Sequence, residues 1–302
     1  MAQNAPNSNL HFALQDIIGK SRTTGNTFFV DSGDTSSSDV DGRSGRDPGN
    51  PVATIDFAVS LCTADNGDLI IAMPGHAEVV SAAAGLDLDQ AGITLVGLGR
   101  GSSQPTVTLG TATSATVVIG AANVTIENIH FVAAFQDIVA CIDVDGDDFT
   151  CRGCRFSDGS SSLNFLVCIL DGLTGVSDRI TVEDCTSFGL DPSNTHFINL
   201  TGTGIGHIIR RNVLQGDWGT TCIGGAGIVT LCTIVDNYIH NTATDSAACI
   251  NMGATATGIC ANNMCSGGHA TAGLVVGDLG AVENYYMIST SDSSGLLNPA
   301  VA

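Results

Sequence analysis

The sequence has very few cations. Its 302 residues carry thirty acids against ten bases, the only lysine being Lys20, and the formal net charge at pH 7 is −20. A nucleic-acid-binding protein needs clustered lysine and arginine to replace the counterions around phosphate. An anionic membrane surface likewise attracts basic segments. The composition therefore predicts a protein that binds neither nucleic acid nor membranes.

Helix-forming residues are also scarce. Twenty-six of the thirty acids are aspartate, and the chain has 37 glycines, so turn-forming residues replace the glutamate and lysine that favour helices. Aromatic residues make up only 5% of the chain although 43% is hydrophobic. We therefore expect little helix and a core built from small aliphatic side chains and cysteine.

Long apolar runs are missing. No stretch approaches the roughly eighteen uninterrupted apolar residues of a membrane-spanning helix. The first twenty residues have neither the basic start nor the apolar run of a signal peptide, which predicts synthesis in a reducing cytoplasm. The odd number of cysteines, eleven, fits poorly with a closed set of disulfides. We expect these thiols to act as small core side chains.

What the sequence does contain is an internal repeat. From about residue 124, an apolar residue is followed three positions later by Ile, Cys or Asn, and two positions after that by an apolar or aromatic residue. The copy around Cys185 fits only with a slip of one residue, to Phe188. The central positions, 21 to 31 residues apart, are Ile129, Cys154, Cys185, Asn212, Asn237, Asn263 and Asn284. A second apolar segment, repeating every 25 to 29 residues, lies between copies and starts at Cys141, Cys168, Phe197, Cys222, Cys249 and Leu274.

A period of this length without helical spacing indicates a coil of short parallel strands. Successive turns of such a coil stack about 4.8 Å apart, so equivalent side chains form columns. The repeat predicts an interior cysteine ladder of Cys141, Cys168, Cys222 and Cys249. It also predicts an asparagine ladder of Asn212, Asn237, Asn263 and Asn284. Stacked amides satisfy one another, and thiols fill interior space without an unmet polar demand.

A different pattern precedes the repeat. An apolar strand at 28–31 is followed by a polar loop, and then by a segment at 51–62 whose apolar residues share one helical face. Gly67 and Asp68 open the next strand. This order resembles the start of right-handed parallel β-helix proteins of the pectin-lyase-like superfamily, over roughly residues 26–290. The resemblance implies an all-β, single-stranded, right-handed parallel β-helix with a short N-terminal capping helix.

Four segments are predicted. Residues 1–25 form an N-terminal arm outside the coil, which either attaches to a partner or is a frayed terminus; Leu14, Ile17 and Ile18 are the candidate anchors. Residues 26–66 hold the first strand, the polar loop and the capping helix. Residues 67–290 form the parallel β-helix, and residues 291–302 form a short tail.

Two motifs invite a metal interpretation. Cys151 and Cys154 have the spacing of half a zinc site, but both fall on interior positions of the repeat, which favours a structural role. Asp143, Asp145 and Asp147 are weak candidates for a Ca²⁺ site, since the glycine and closing glutamate of a calcium loop are missing. We predict no cofactor.

No catalytic residue is predicted. Members of the superfamily that cleave acidic polysaccharides use cations and clustered carboxylates along a groove. Outward arginines are present at Arg152, Arg155, Arg210 and Arg211, where pairing with acids is favoured over a cationic strip. The motifs of polygalacturonase-like hydrolysis are incomplete, because only Asp147-Asp148 and part of a Gly-His-Gly motif at Gly206-His207 are present.

The resemblance extends to bacteriophage virion proteins, such as capsid decorations, head fibres and tailspikes. It implies a non-enzymatic structural protein that assembles as a homotrimer, contacts the capsid or other virion proteins through its arm, and is located in the virion. The alternative is a polysaccharide lyase or glycoside hydrolase of the tailspike depolymerase type, which would use outward Asp and Arg residues.

Overall fold

The computed structural model describes residues 23–172, 177–243, 247–267, 273–288 and 296–298. The candidate anchors Leu14, Ile17 and Ile18 lie outside the described residues, as does most of the predicted tail at 291–302.

The described chain winds into a coil with three strands per turn, which gives three long sheets. We name them faces A, B and C in the order in which the chain visits them. Faces A and B each contain ten strands and face C contains eight, so the coil has about eight turns. All pairings along the three faces are parallel except that of the last strand of face B. The predicted all-β parallel solenoid is therefore confirmed.

The strands are short because the chain bends after every few residues. Face A consists of Thr27–Val30, Leu69–Ala72, Thr94–Gly97, Thr125–Glu127, Thr150–Arg152, Thr181–Glu183, Ile208–Arg210, Cys232–Val235, Thr257–Ala261 and Asp278–Val282. Face B consists of Ala77–Val80, Thr106–Leu109, His130–Ala133, Arg155–Asp158, Thr186–Phe188, Val213–Gly216, Tyr238–Asn241, Met264–Gly267, Asn284–Ile288 and Leu296–Asn298. Face C consists of Leu86–Asp87, Val117–Ile119, Ile142–Val144, Val167–Asp171, His196–Leu200, Thr221–Gly225, Ala248–Met252 and Leu274–Val275. A small extra sheet pairs Gly204–Ile205 with Val229–Thr230.

A short helix, Ile55–Ser60, packs against the first strands of faces A and C. The backbone N–H of Phe57 donates to the Thr54 hydroxyl over 3.2 Å, which caps the helix. Its buried residues are Ile55, Ala58 and Val59. These side chains cover the apolar core at the first turn, which would otherwise open to water. No helix in the described part of the chain is long and apolar enough to cross a membrane.

The corner between faces A and B is made by one residue per turn in the left-handed backbone region. These residues are Asn128, Gly153, Asp184, Arg211, Asp236, Asn262 and Glu283, with φ between 52° and 59°. Only one of the seven is glycine, so most of these corners place a side chain in a conformation that β-carbon sterics disfavour. Each corner turns the next residue into the interior, which is how the central positions of the repeat become a column.

The interior between faces B and C contains a short aromatic stack. The rings of Phe131 and Phe156 stack with centroids 5.3 Å apart, and Phe156 meets the edge of Phe197 at 5.5 Å. The slip expected near Cys185 was wrong. Ser187 pairs with Phe156 and lies inside at 6% exposure, whereas Phe188 is 48% exposed. Because side chains alternate along a strand, an unshifted register leaves Phe188 pointing outward.

The aromatic stack predicts different costs for two phenylalanines on adjacent turns. Phe156→Ala should lower the free energy of unfolding by about 3–5 kcal/mol, because it leaves a cavity between two rings. Phe188→Ala, the matched control, should change it by less than about 0.5–1 kcal/mol. Denaturant titration of both variants measures the difference. Equal costs would show that the register of this strand is misplaced by one residue.

Candidate functional site

Four buried asparagines form one interior column beside the corner between faces A and B. In each of the first three, the side-chain nitrogen donates to the amide oxygen of the next asparagine along the chain. The distances are 2.9 Å from Asn212 to Asn237, 3.0 Å from Asn237 to Asn263 and 2.8 Å from Asn263 to Asn284. The structure thus brings together all four members of the predicted asparagine ladder.

The same amides also bind the backbone of neighbouring turns. The Asn237 oxygen accepts from the backbone N–H of Asn212 at 3.1 Å, and its nitrogen donates to the Ile209 carbonyl at 3.0 Å. Asn212 continues the pattern by accepting from the Cys185 N–H at 2.9 Å. The backbone N–H and C=O groups beside the corner lack partners within the sheets. Each amide binds such groups and thereby joins one turn to the next.

The four predicted ladder cysteines lie along a second interior line, with one interruption. The isoleucines that follow them pair in register from turn to turn: Ile142, Ile169, Ile198, Ile223 and Ile250. The residue before Ile198 is Phe197, so an aromatic ring separates Cys168 from Cys222. Burial raises the pKa of Cys141 and Cys222. All eleven cysteines are free thiols. Buried thiols kept protonated in this way fill space and are poor nucleophiles.

Cys151 and Cys154 lie inside the coil. The Cys151 sulfur is 3.7 Å from the Cys185 sulfur, and Cys154 contacts the Ile126 carbonyl at 3.8 Å. Among the described residues, no group of three or more His, Cys, Asp or Glu side chains is arranged to hold a metal ion.

The three candidate calcium ligands have different surroundings. The Asp147 carboxylate accepts from the Asp178 backbone N–H at 2.9 Å and lies 3.3 Å from Arg179. Burial, with a smaller contribution from Asp145, raises the pKa of Asp143 to about 6. Within the described chain, Asp143, Asp145 and Asp147 do not converge on one point.

The outward side of face A carries a row of ion pairs centred on Glu183. This carboxylate receives Arg152 at 2.6 Å, Arg210 at 2.7 Å and Arg211 at 2.8 Å, although only 3% of its side chain is exposed. Arg211 also binds Asp184 at 2.8 Å. Burial opposes ionisation of Glu183, but hydrogen bonds from the arginines outweigh it and lower its pKa to about 2. Three of the four outward arginines are therefore neutralised by acids of neighbouring turns.

An open groove of about 860 Å³ follows the corner between faces A and B. Arg100, Gln104 and Arg152 line it together with Glu127 and Asp184. Gln104 donates to the Asn128 amide oxygen at 3.1 Å, which fixes one wall. No residue in its described lining is aromatic. The groove offers hydrogen-bonding groups of both charges but lacks the flat apolar platforms on which sugar rings commonly stack.

Two features were missed from the sequence. Glu183 looks like any surface acid, and only the register places three arginines around it. Asp171 occupies an interior position between Val144 and Leu200. Its side chain is fully buried, and burial raises its pKa to about 6. The placement of an acid in the otherwise apolar segment 167–171 was the available signal.

Comparisons with known proteins add little. No protein-family model matches the chain, and no curated protein matches it. Among solved structures, the chain is similar to Geobacillus virus E2 ORF18 at 11% identity and a TM-score of 0.37, over 92% of this chain and 63% of that one. The chain thus spans less than two thirds of that protein's length.

The asparagine ladder yields a stability prediction. Asn237→Leu should lower the free energy of unfolding by about 1–3 kcal/mol, because it leaves the Asn212 N–H and the Ile209 carbonyl buried without partners. Asn251→Leu is the control, since Asn251 lies on the exposed outer side of face C. Denaturant unfolding followed by circular dichroism measures both. Unchanged stability of Asn237→Leu would contradict the ladder's role.

The Glu183 ion pairs yield a pH prediction. The pKa of Glu183 lies below its value in the unfolded chain, so its contribution is complete above about pH 4.5 and is lost as the pH falls towards 2. At pH 7, Glu183→Gln should lower the free energy of unfolding by about 1–2 kcal/mol, a figure reduced for the exposed arginine partners. The difference from the native chain should shrink steadily below pH 4.

The matched control is Asp41→Asn, at an exposed acid of the polar loop. At pH 7 its unfolding free energy should lie within about 0.5 kcal/mol of the native value, as is usual for an exposed surface residue. A Glu183→Gln deficit that stays constant down to pH 2 would contradict the assignment of the titration to Glu183.

Proposed function

We propose that this chain is a non-enzymatic structural protein of a bacteriophage virion, in which it serves as a rigid capsid decoration, fibre or spike component. As part of this proposal, the coil is a right-handed β-helix like those of the pectin-lyase-like superfamily. The observation that carries it is the asparagine column, whose amides bind side chains and backbone of successive turns at 2.8–3.1 Å. An interior joined in this way suits a protein whose task is to keep its shape.

The outward ionic groups support a structural role. Glu183 is surrounded by three arginines, and Arg179 is bound by Asp148 at 2.6 Å. Cations committed to structural pairs are poorly placed to bind the carboxylates of an acidic polysaccharide. A catalytic groove instead holds charged groups ready for substrate.

The net charge of −20 agrees with a protein displayed on a particle surface. Charge of one sign keeps particles dispersed in solution. In the proposal, copies assemble as a homotrimer in the virion after synthesis in the host cytoplasm.

The N-terminal arm is the proposed attachment segment. Thr23 is the first described residue. Its hydroxyl donates a hydrogen bond to the carbonyl of Gly67, just before the face A strand Leu69–Ala72. The arm therefore joins the coil near its first turn. Leu14, Ile17 and Ile18 are the proposed contacts with capsid or other virion proteins.

Binding to virions tests the role. The purified chain should co-sediment with particles of the encoding phage that lack their own copy. The triple variant Leu14→Ser, Ile17→Ser and Ile18→Ser should lose most of this binding. Val40→Ser is the control, because Val40 is an exposed apolar residue of the polar loop and should leave binding unchanged.

The enzymatic alternative is tested with the same preparation. The native chain, incubated with a panel of acidic and neutral polysaccharides, should release neither reducing ends nor unsaturated sugars. Sustained release that depends on Glu127 or Asp184 of the groove would overturn the structural proposal, as would failure of the native chain to bind particles.

A further inference from the structure

The last five parallel strands of face B, from Thr186–Phe188 to Asn284–Ile288, have no acid, lysine or arginine on their outward side. Each strand there presents two outward residues. The ten residues are Thr186, Phe188, Val213, Gln215, Tyr238, His240, Met264, Ser266, Tyr285 and Met287. None is Asp, Glu, Lys or Arg, in a chain with thirty acids. The uncharged region begins after Arg155, which pairs with Thr186.

One column of this region is apolar and exposed. Val213, Tyr238, Met264 and Tyr285 pair in register on four consecutive turns. Their side chains are exposed by 43%, 46%, 56% and 53%, respectively. Three steps at the strand spacing make a stripe about 14 Å long. We call these four residues the face B stripe.

The column beside the stripe widens the uncharged surface. It contains the exposed Phe188 and Met287 at its ends. Between them, His240 and Ser266 bind each other at 2.6 Å, so their polar atoms are engaged along the coil. Tyrosine, phenylalanine and methionine are the residues enriched where proteins contact each other.

The acids of the other two faces lie on turns before the stripe, at Glu127 and Glu183 on face A and at Asp87 and Asp143 on face C. On the turns of the stripe, the described strands of face C hold no charged residue either. What distinguishes face B on these turns is its row of large exposed apolar side chains. Apolar side chains gathered on an uncharged surface mark an interaction site more strongly than scattered ones do.

We propose that the face B stripe is the contact surface for a second copy of this chain, with the two coils side by side. The inference rests on the homo-oligomeric assembly in the proposed function and names the surface that makes it. Two copies, each with a net charge of −20, repel least where neither presents an acid.

The spacing of the stripe also selects a second coil as the partner. Its side chains recur once per turn, at about 4.8 Å, along a straight line. A second coil with a parallel axis has the same repeat, so every stripe residue can meet a stripe residue of the other copy. A partner without this period would match one or two of the four positions.

A charge placed in the stripe tests the proposal. The double variant Tyr238→Glu and Met264→Glu should shift the protein from oligomer to monomer and weaken association at least 100-fold. Ile259→Glu is the control, because Ile259 is 52% exposed but lies on face A. Sedimentation velocity over a range of concentrations measures the mass, and circular dichroism with thermal melting checks that each variant is folded.

Cross-linking gives a readout that does not depend on the stability of a charged variant. Met264→Cys should form a covalent dimer with a short bismaleimide, whereas Ile259→Cys should not. Native cysteines contribute little background, because ten of the eleven are buried and Cys62 is partly buried.

The outcomes separate this surface from the proposed function. An oligomer that the double variant leaves intact, or equal cross-linking at positions 259 and 264, would overturn the stripe and leave the assembly standing. A native chain that stays monomeric at all concentrations would overturn both the stripe and the homotrimer. Binding of the arm to particles is measured separately and depends on neither result.

Discussion

The structure depends on one constraint, which is that successive turns stay in register at the corner between faces A and B. A parallel coil has no hairpins to fix its pairing, and a shift of one residue would turn every interior side chain outward. The corner residues with positive φ fix this register, and over four consecutive later turns they do so together with the buried amides that follow them. An amide accepts and donates in both directions along the column, so each asparagine is satisfied only when its neighbours are in place.

The register then sorts chemistry by face. Interior positions receive thiols, aliphatic side chains and amides, because only groups that are apolar or mutually satisfied can stack there. On face A the same stacking brings Arg152, Glu183 and Arg210 into adjacent rows, where alternating charges attract. Like charges in one column would repel at about the strand spacing. An outward column without alternating charges avoids this repulsion when its side chains are uncharged. The face B stripe is a column of this kind.

The sequence predicted the coil and its asparagine column because both depend on a single period, visible in the positions from Ile129 to Asn284. The strand at Thr186–Phe188 was misread, since Phe188 looked like a core residue and Ser187 did not. Hydrophobicity was the wrong guide there, because the pairing of both neighbouring turns decides which side points inward. Glu183 and the face B stripe were missed for the same reason. Their significance lies in cross-strand neighbours about 25 residues away, and repeat spacings of 21 to 31 residues hide that alignment in the sequence.

The charge of the chain and the stripe belong together. A net charge of −20 opposes self-association, and it does so least where the contact surface itself carries no acid. If the 13% of charged residues were placed at random, ten outward positions would all be uncharged in a minority of cases. The same ten positions also hold three large exposed aromatic side chains, Phe188, Tyr238 and Tyr285. In the proposed assembly, these large exposed side chains set the face on which two coils would meet. The acidic composition, from which we predict that the chain binds neither nucleic acid nor membranes, would in that assembly favour a contact whose centre carries no acid.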